Sequence, residues 1–471
     1  MPLKKEMGFL GSFSMGFADV GADIFLALGL IAMYAGGAMP LAILAAAAVY
    51  LLTGLAYAEL SSAIPVAGGA AVFGERAFGK LAGFLGGWGL MLDYTLDIAL
   101  FAVAATGYLS FFLPGIRESV MLAGFSVPLF ALTTGILIAI LAAVNLFGIK
   151  ESSLVNSVLT VGTIFLVLII IGVGVTTTFK LDTFTSGFHI APGAKGAQDF
   201  LYSITLAMVA FIGIESISQG AEETRNPEKV LPRATLSAVI TVIVFALAIS
   251  ILSLGIVTPE ALASHVDNPL VALAAALPFT DILLPIVALA GFAVCFVSAN
   301  TGIIGVSRVT YSMSNHGLLT RRFKWVHPRY CTPWLTICLF SGVAVILAGA
   351  ASWDGTGKGM FFLGELYAFG ALMAYLIANL AVVKLRFSEP FLARPFHIPL
   401  NIKWRGVQVP VLGILGIAGA ILMLGLIAWL HEAGRNFAFA WFIVGVGYFF
   451  YYQNYRRKLE EKEKRNAAVA N

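Results

Sequence analysis

Apolar residues in this chain fall into long runs separated by short polar segments. The runs are roughly 20 to 28 residues long, enough to cross a hydrocarbon core of about 30 Å as an α-helix. They show no alternation of polarity over segments of about ten residues, which membrane β-strands require. Because a helix satisfies its own backbone N–H and C=O groups in lipid, the pattern predicts an all-α polytopic membrane protein.

The runs predict twelve transmembrane helices, and the third and eighth are long enough to require tilt. Their predicted ranges are 10–36, 40–63, 82–113, 121–147, 153–178, 199–221, 234–256, 281–312, 332–351, 358–384, 409–431 and 436–453.

Composition and charge agree with this class and set the orientation. The chain is 59% hydrophobic and only 11% charged, against about 25% charged in a soluble domain. With the N-terminus inside, all but five of the 29 Lys and Arg residues lie in inner segments, as the positive-inside rule requires. We therefore expect a multi-pass cell-membrane protein with both termini cytoplasmic. The five outer residues are Arg117, Lys180, Lys195, Lys358 and Arg435.

Little points to a metal centre or to nucleic acid. The cysteines, Cys295, Cys331 and Cys338, are odd in number and lack metal-site spacing. The net charge of +4 is small and is carried mostly by loops, so no nucleic-acid partner is expected. We find neither a His-Glu-x-x-His motif nor an activated-serine signature, and no selectivity-filter loop of a channel. An enzyme is therefore not expected.

The first and sixth spans share an interruption near their middles. Asp19 and Asp23 flank Gly21 in the first, and Gly213 precedes Glu215 in the sixth. The two spans lie five crossings apart and so run in opposite directions. Matching interruptions in oppositely oriented units are typical of inverted repeats with a binding site between two broken helices.

Four motifs follow one another along the chain: Tyr57-Ala58-Glu59-Leu60, Pro65 with Gly68-Gly69, Glu222 with Asn226-Pro227, and Ser307-Arg308. Their order resembles the amino acid–polyamine–organocation superfamily of permeases, from about residue 10 to about residue 335. The resemblance implies five plus five inverted helices, with helices 1 and 6 broken, and two extra helices. It divides the chain into 1–178, 179–385, 386–453 and a cytoplasmic tail, 454–471.

The resemblance also implies site residues. Backbone amides of the segment Gly21-Ala22-Asp23-Ile24 would hold a substrate carboxylate. Carbonyls at Phe211, Gly213 and Ile214 would receive its ammonium. The electrostatics agree, because helix N-termini favour anions and C-termini favour cations.

Asp23 departs from the family pattern, since it stands where a glycine is usual. A carboxylate there would repel the substrate's own unless it is protonated or cation-bound. The Asp23 carboxylate therefore favours a cationic substrate or a protonation site at this position.

Five acids lie at mid-span, where a charge costs roughly 2.5–3.5 kcal/mol by insertion scales, so each is a candidate for function. Asp19, Asp23 and Glu215 are predicted to bind substrate, and Tyr94 to cap the cavity. For Asp93 and Asp97 a polar seam between helices is an alternative. Glu59 and Arg308 are predicted to belong to an inner salt-bridge gate.

A coupling ion is expected. Thr163 stands where many proton-coupled relatives have a lysine, so sodium is one hypothesis and the proton is the other. The sodium site would be formed by Val20 backbone, Thr163 and Ser298, with Thr301 adding an oxygen. No other cofactor is expected.

The expected function is secondary active transport of amino acids by alternating access, with sodium or proton coupling. An amine, polyamine or other organic-cation transporter or exchanger of the same fold is the alternative. The expected partners are the small-molecule substrate and membrane lipid. The sequence leaves the oligomeric state open.

Overall fold

A computed structural model describes residues 7–122, 125–148, 153–330, 332–353 and 358–470. Cys331, the first six residues and the last residue of the predicted tail lie outside this set. The described residues form seventeen α-helices and two short hairpins. The helices are α1 (Phe9–Ala35), α2 (Met39–Ala63), α3 (Ala70–Phe78), α4 (Lys80–Leu109), α5 (Leu129–Leu146), α6 (Ser153–Val173), α7 (Leu181–Gly187), α8 (Gly193–Ala207), α9 (Glu215–Gln219), α10 (Pro227–Leu254), α11 (Pro259–Ala263), α12 (Pro269–Ala275), α13 (Thr280–Asn315), α14 (Trp334–Ser352), α15 (Lys358–Ser388), α16 (Val411–Leu430) and α17 (Glu432–Ala470).

Ten helical segments of the described chain are long and apolar enough to cross a membrane. The first, Phe9–Ala63, contains both α1 and α2, which meet at a short 3-10 turn, Gly36–Ala38. The last helix, α17, carries the charged tail and is not among the ten. The prediction of a polytopic helical membrane protein is confirmed.

Helix α4 lies at the centre of the bundle. Every residue of its most apolar stretch is buried, whereas α5 and α16 each bury 28% of theirs. It packs along α13 and α15, and a Cβ on Gly89 would lie 3.0 Å from the carbonyl oxygen of Gly370. Small residues at such crossings let helix backbones approach closely in lipid. The packing places Asp93 and Asp97 of α4 in the interior.

Glycines near the start of α4 also serve close packing, against α3. A Cβ on Gly83 would lie 2.8 Å from the carbonyl oxygen of Ala71, and one on Gly86 would lie 2.7 Å from that of Ala70. These positions accept no side chain without a backbone shift. They act as helix contacts and not as a ligand loop.

Two antiparallel hairpins correct the all-helical expectation. Strands β1 (Ser119–Leu122) and β2 (Phe125–Pro128) pair Ser119 with Pro128. Strands β3 (Asn401–Trp404) and β4 (Val407–Pro410) pair Asn401 with Pro410. The first hairpin occupies the start of the predicted fourth span, so α5 begins only at Leu129. Residues 119–128 are mostly apolar and lack the alternation typical of a strand, so the sequence did not separate this hairpin from the apolar run that follows it.

The two spans predicted to break behave differently. The sixth is interrupted, as predicted, between α8 and α9. The first is not: α1 runs unbroken through Gly21, and the prediction of a broken first helix is wrong. A glycine costs a helix only about 1 kcal/mol relative to alanine. Ala18 and Ala22 favour the helix around it, and a buried backbone group left unpaired would cost about 1–3 kcal/mol.

Candidate functional site

The interrupted sixth span forms the centre of the candidate site. After α8, a 3-10 turn covers Met208–Phe211, and Ile212 is extended at φ −108° and ψ 147°. Gly213 follows at φ +116°, a conformation that L side chains rarely adopt. α9 then begins at Glu215. A β-branched residue on each side of a glycine lowers helix propensity here, and the freed backbone groups need other partners.

The carboxyl groups of α1 provide partners for the interrupted segment. The Ile212 amide donates to Oδ2 of Asp23 at 3.2 Å. The Ser216 hydroxyl, in the first turn of α9, donates to Asp19. A Cβ on Gly213 would lie 2.8 Å from the Asp19 side chain, so the two spans approach closely. The acids of the intact helix thus accept hydrogen bonds from the buried backbone amide and serine hydroxyl at the interruption.

Tyrosines hold the segment from the other side. The Tyr375 hydroxyl, on α15, lies 3.1 Å from the carbonyl oxygen of Phe211 and 3.2 Å from Oε2 of Glu215. Tyr50 of α2 stacks on Phe211, with 5.2 Å between ring centroids. Phe211 is fully buried in this packing, so its ring contributes to the core as well as to the site.

Five carboxyl groups surround this segment, and each is at most 1% exposed. Within the described ranges, none has an ion pair or hydrogen bond to a Lys, Arg or His side chain. A buried charge without a partner is costly, and such groups take up a proton or bind a cation. The arrangement can therefore receive an ammonium group, a metal cation or protons. The five are Asp19, Asp23, Asp93, Asp97 and Glu215.

The acids of α4 reach the site in two ways. Asp93 faces Glu215, and Asp97 accepts from the Ser298 hydroxyl of α13 at 3.2 Å. Between them, the Tyr94 hydroxyl lies 3.5 Å from that of Ser216. Tyr94, Asp93 and Asp97 therefore belong to the same cluster as the sixth-span break. The role of Tyr94 as a cavity cap stays a prediction.

The predicted carboxylate-binding positions lie inside helix α1. Gly21, Ala22 and Ile24 are buried there, and helical amides are already paired with carbonyls four residues back. A Cβ on Gly21 would meet the ring of Phe17 and not a ligand space. Their role in binding a carboxylate stays a prediction, as does that of Gly213 and Ile214 in receiving an ammonium.

The predicted sodium ligands are brought together only in part. The Ser298 hydroxyl lies 3.4 Å from Oδ1 of Asp19 as well as near Asp97. The Thr301 hydroxyl donates to the carbonyl of Val297 in its own helix at 3.1 Å. Thr163 lines a small cleft with Phe17 and Val297, and Val20 is buried in α1. The sodium site stays a prediction.

The two residues predicted for one inner gate lie in separate ion pairs. Glu59 accepts two hydrogen bonds from Arg386, at 2.8 and 2.6 Å, and lies 3.4 Å from the Arg394 guanidinium. Arg308 instead pairs with Glu223 at 2.9 Å. Arg386 lies in the last turn of α15 and Arg394 follows that helix. Neither belongs to a recognised motif, so their pairing with Glu59 could not be predicted.

A second polar cluster joins α8, α15 and the end of α16. His431 is 1% exposed, lies 3.0 Å from the Glu365 carboxylate and stacks on Tyr202 at 4.0 Å. Tyr202 also donates to Glu365, and Thr205 contacts His431 at 2.5 Å. Sequence reasoning missed this cluster, because only tertiary packing brings residues 202 and 431 together.

An interrupted helix lined by buried acids, within a bundle of membrane-crossing helices, is the arrangement of a membrane transporter and not of an enzyme. A family model described as amino acid permease matches residues 7–449. The chain belongs to the amino acid permease family, and the resemblance to the amino acid–polyamine–organocation superfamily is confirmed.

Curated relatives cover nearly the whole chain. It is similar to a branched-chain amino acid permease of Bacillus subtilis (strain 168), with 28% identity over 98% of this chain and 95% of that protein. It is also 30% identical to a methylthioribose transporter of the same organism, over 81% of this chain and 80% of the other. A low-affinity putrescine importer of Escherichia coli (strain K12) is 26% identical over 95% and 93%.

Proposed function

We propose that this chain is a secondary active transporter that carries amino acids, or amines of similar size, across the cell membrane by alternating access. The observation that carries the proposal is the interruption at residues 212–214, with five buried carboxyl groups around it. A substrate ammonium would find carbonyl oxygens at the end of the 3-10 turn and carboxylates on α1. Both features favour a positively charged amino group.

An amine without a carboxylate is the second candidate, and one observation favours it. No basic side chain pairs with the five acids in the described ranges, and the α1 amides lie within an intact helix. A substrate carboxylate would therefore need N–H donors that a change in α1 must first expose. Relatives named for branched-chain amino acids and for putrescine support both candidates.

The proposed architecture has twelve crossings, with α8 and α9 forming one and α1, α2, α4, α5, α6, α10 and α13 to α17 forming the rest. Residues 1–178 and 179–385 would be the inverted repeats, 386–453 the two extra helices and 454–471 a cytoplasmic tail. Both termini are placed inside on the distribution of basic residues. Spans one, two, six and seven would rock against spans three, four, eight and nine.

The coupling ion is sodium or the proton. For sodium, Val20, Thr163, Ser298 and Thr301 would supply the ligands, and uptake would fall when choline replaces sodium. Uptake that is unaffected by this replacement would exclude sodium and leave the proton as the driving ion.

Uptake by proteoliposomes that contain the purified full chain tests the function. Labelled alanine and labelled putrescine are offered separately, with an excess of unlabelled amino acids or of the decarboxylated amines as competitors. A thermal-shift screen of the same ligands, with and without sodium, checks binding. Saturable uptake of either label supports the proposal, and competition by amines but not amino acids selects the second candidate. Absence of saturable uptake and of any ligand-induced shift contradicts it.

A further inference from the structure

An open cavity lies beside the polar end of α17, where residues of this helix meet the start of α4. It has a volume of about 420 Å³. Its lining includes Lys80, the first residue of α4, together with Arg456, Arg457 and Glu460 of α17. Three basic side chains against one acid give the cavity a net positive charge, which favours an anionic ligand.

Two of the three basic groups are free to bind such a ligand. Arg456 is held within the protein, because its guanidinium donates to a backbone carbonyl at 3.1 Å and pairs with Glu460 at 3.1 Å. Lys80 is exposed and has no ion pair in the part of the chain that the structure describes. Arg457 donates there only to the neutral side chain of Asn454, at 3.2 Å. A phosphate group would therefore meet two uncompensated positive charges.

Aromatic packing holds α17 against α4 next to the cavity. The rings of Trp88 and Trp441 lie 4.7 Å apart, and those of Phe84 and Phe449 lie 5.1 Å apart. Tryptophan is enriched where membrane helices leave the hydrocarbon. Helix α4 is long and apolar enough to cross the membrane, and it begins at Lys80. The cavity therefore lies at the depth of the lipid headgroups.

A stripe of exposed positions on α17 leads away from the cavity. Ile443, Gly447, Phe450, Asn454 and Arg457 follow one another at alternating intervals of four and three residues, so they share one face of the helix. Ile443 and Phe450 are 71% and 58% exposed, and a Cβ on Gly447 would meet no atom within 4 Å. Phe450 also lines the cavity. This face changes from apolar to cationic, which fits a molecule with a hydrocarbon tail and an anionic head.

We propose that the cavity binds the phosphate headgroup of an anionic phospholipid, with Lys80 and Arg457 as its partners and an acyl chain along Ile443 and Phe450. On the proposed orientation the site faces the cytoplasmic leaflet, where anionic lipids attract basic residues close to membrane helices. A soluble phosphate would gain nothing from the apolar part of the stripe. The site goes beyond the proposed function, since it uses no residue near the sixth-span break.

Native mass spectrometry of the purified full chain in a neutral detergent tests the site. The protein is titrated with phosphatidylglycerol and, separately, with phosphatidylcholine that carries the same acyl chains. The wild type should retain phosphatidylglycerol in preference. Lys80→Gln combined with Arg457→Gln should weaken phosphatidylglycerol binding by about 25-fold, or about fivefold for each basic residue, and leave phosphatidylcholine binding unchanged.

The matched control is Lys458→Gln. It removes the same charge from an exposed neighbour of Arg457 that does not line the cavity. Single lipids in a neutral micelle create no membrane surface potential, so this variant should bind phosphatidylglycerol as the wild type does. None of the three substitutions removes an ion pair between described residues, and matching melting curves verify folding. An equal loss of binding in the control would overturn the proposal, as would a wild type without preference for the anionic lipid.

Competition identifies the source of the phosphate. Inorganic phosphate or glycerol phosphate, at the same concentration as the lipid, should not displace phosphatidylglycerol, because neither reaches Ile443. Complete displacement would contradict the lipid and assign the cavity to a soluble phosphate. Retention of phosphatidylglycerol by a protein that takes up neither alanine nor putrescine would support the lipid site while rejecting the transport function.

Discussion

Helix α1 and the α8–α9 segment carry similar residues at mid-membrane, yet only the second unwinds. Both contain a central glycine beside acids, but Gly213 lies between two isoleucines, whereas Gly21 lies near two alanines. The amide freed at Ile212 binds Asp23 of the intact helix. Helix α1 supplies the side-chain hydrogen-bond acceptors. The α8–α9 segment supplies the backbone amide that lacks a partner in its own helix. A glycine near an acid therefore does not by itself predict a break, since the partner helix also decides the outcome.

Substituting alanine for Gly213 and for Gly21 should give the largest difference in stability between the two segments. At Gly213 it would adopt a positive φ and overlap Asp19, and we expect a loss of about 3 kcal/mol or more from strain and displacement. Transport should be lost with it. At Gly21 the backbone is already helical, but the Cβ would lie 2.7 Å from the buried Phe17 ring, which must shift. That displacement offsets the gain in helix propensity of up to about 1 kcal/mol, so we expect a smaller loss than at Gly213. Melting of both variants in lipid checks this, and equal losses would contradict the contrast.

Asp23→Asn tests whether the Asp23 carboxylate does more than accept the hydrogen bond from the Ile212 amide. In Asp23→Asn a carbonyl oxygen still accepts from Ile212, so we expect a stability change below about 1 kcal/mol. Transport should be abolished or uncoupled if the carboxylate binds substrate or ion. Asp23→Ala also removes the acceptor, and should cost about 1–3 kcal/mol more. Unaltered uptake kinetics in Asp23→Asn would refute the binding role.

Tyr375→Phe tests whether α15 stabilises the interrupted segment of the sixth span. Tyr375→Phe keeps the ring but removes the hydroxyl that contacts Phe211 and Glu215. One net hydrogen bond contributes about 0.5–1.5 kcal/mol, and more when a charged group accepts. We expect a loss of about 1–2 kcal/mol in chemical denaturation. Tyr367→Phe, a buried tyrosine of the same helix, provides a comparison, and an equal loss there would show that the break is not specifically supported.

The His316–Glu75 pair at the protein surface should make a small contribution to stability that depends on pH. His316 lies 2.6 Å from Glu75, and this hydrogen bond raises the pKa of His316. The pair's contribution is full below the unfolded value of about 6.5 and is lost as pH rises through the raised folded value. Because His316 is 38% exposed, we expect only a few tenths of a kcal/mol. Glu75→Gln should remove this dependence, and an unchanged pH profile would contradict it.

Local chemistry allowed much of the fold and part of the site to be predicted. Long apolar runs predict membrane helices because lipid offers the backbone no other partners, and the break in the sixth span was predicted from Gly213 beside Glu215. Acids at the middle of membrane helices are rare, so residues such as Asp97 could be recognised from the sequence as members of the cluster. The contact of Tyr375 with Phe211 and the Glu59–Arg386 pair join residues that lie 164 and 327 positions apart in the chain. No local signal specifies those contacts.

The 119–128 hairpin shows a different limit. Its residues are apolar enough to extend a predicted span, yet the two strands pair Ser119 with Pro128 in an antiparallel hairpin. Hydropathy alone does not separate a short hairpin from the first turns of a helix.

Cryo-electron microscopy of the full chain in lipid nanodiscs, without added substrate, tests the central claim most directly. The account predicts continuous helical hydrogen bonding from Phe9 to Ala35, an interruption at residues 212–214, and the Asp23 carboxylate against the Ile212 amide. A gap in α1 at Gly21, or an Asp23 side chain turned away from Ile212, would contradict it.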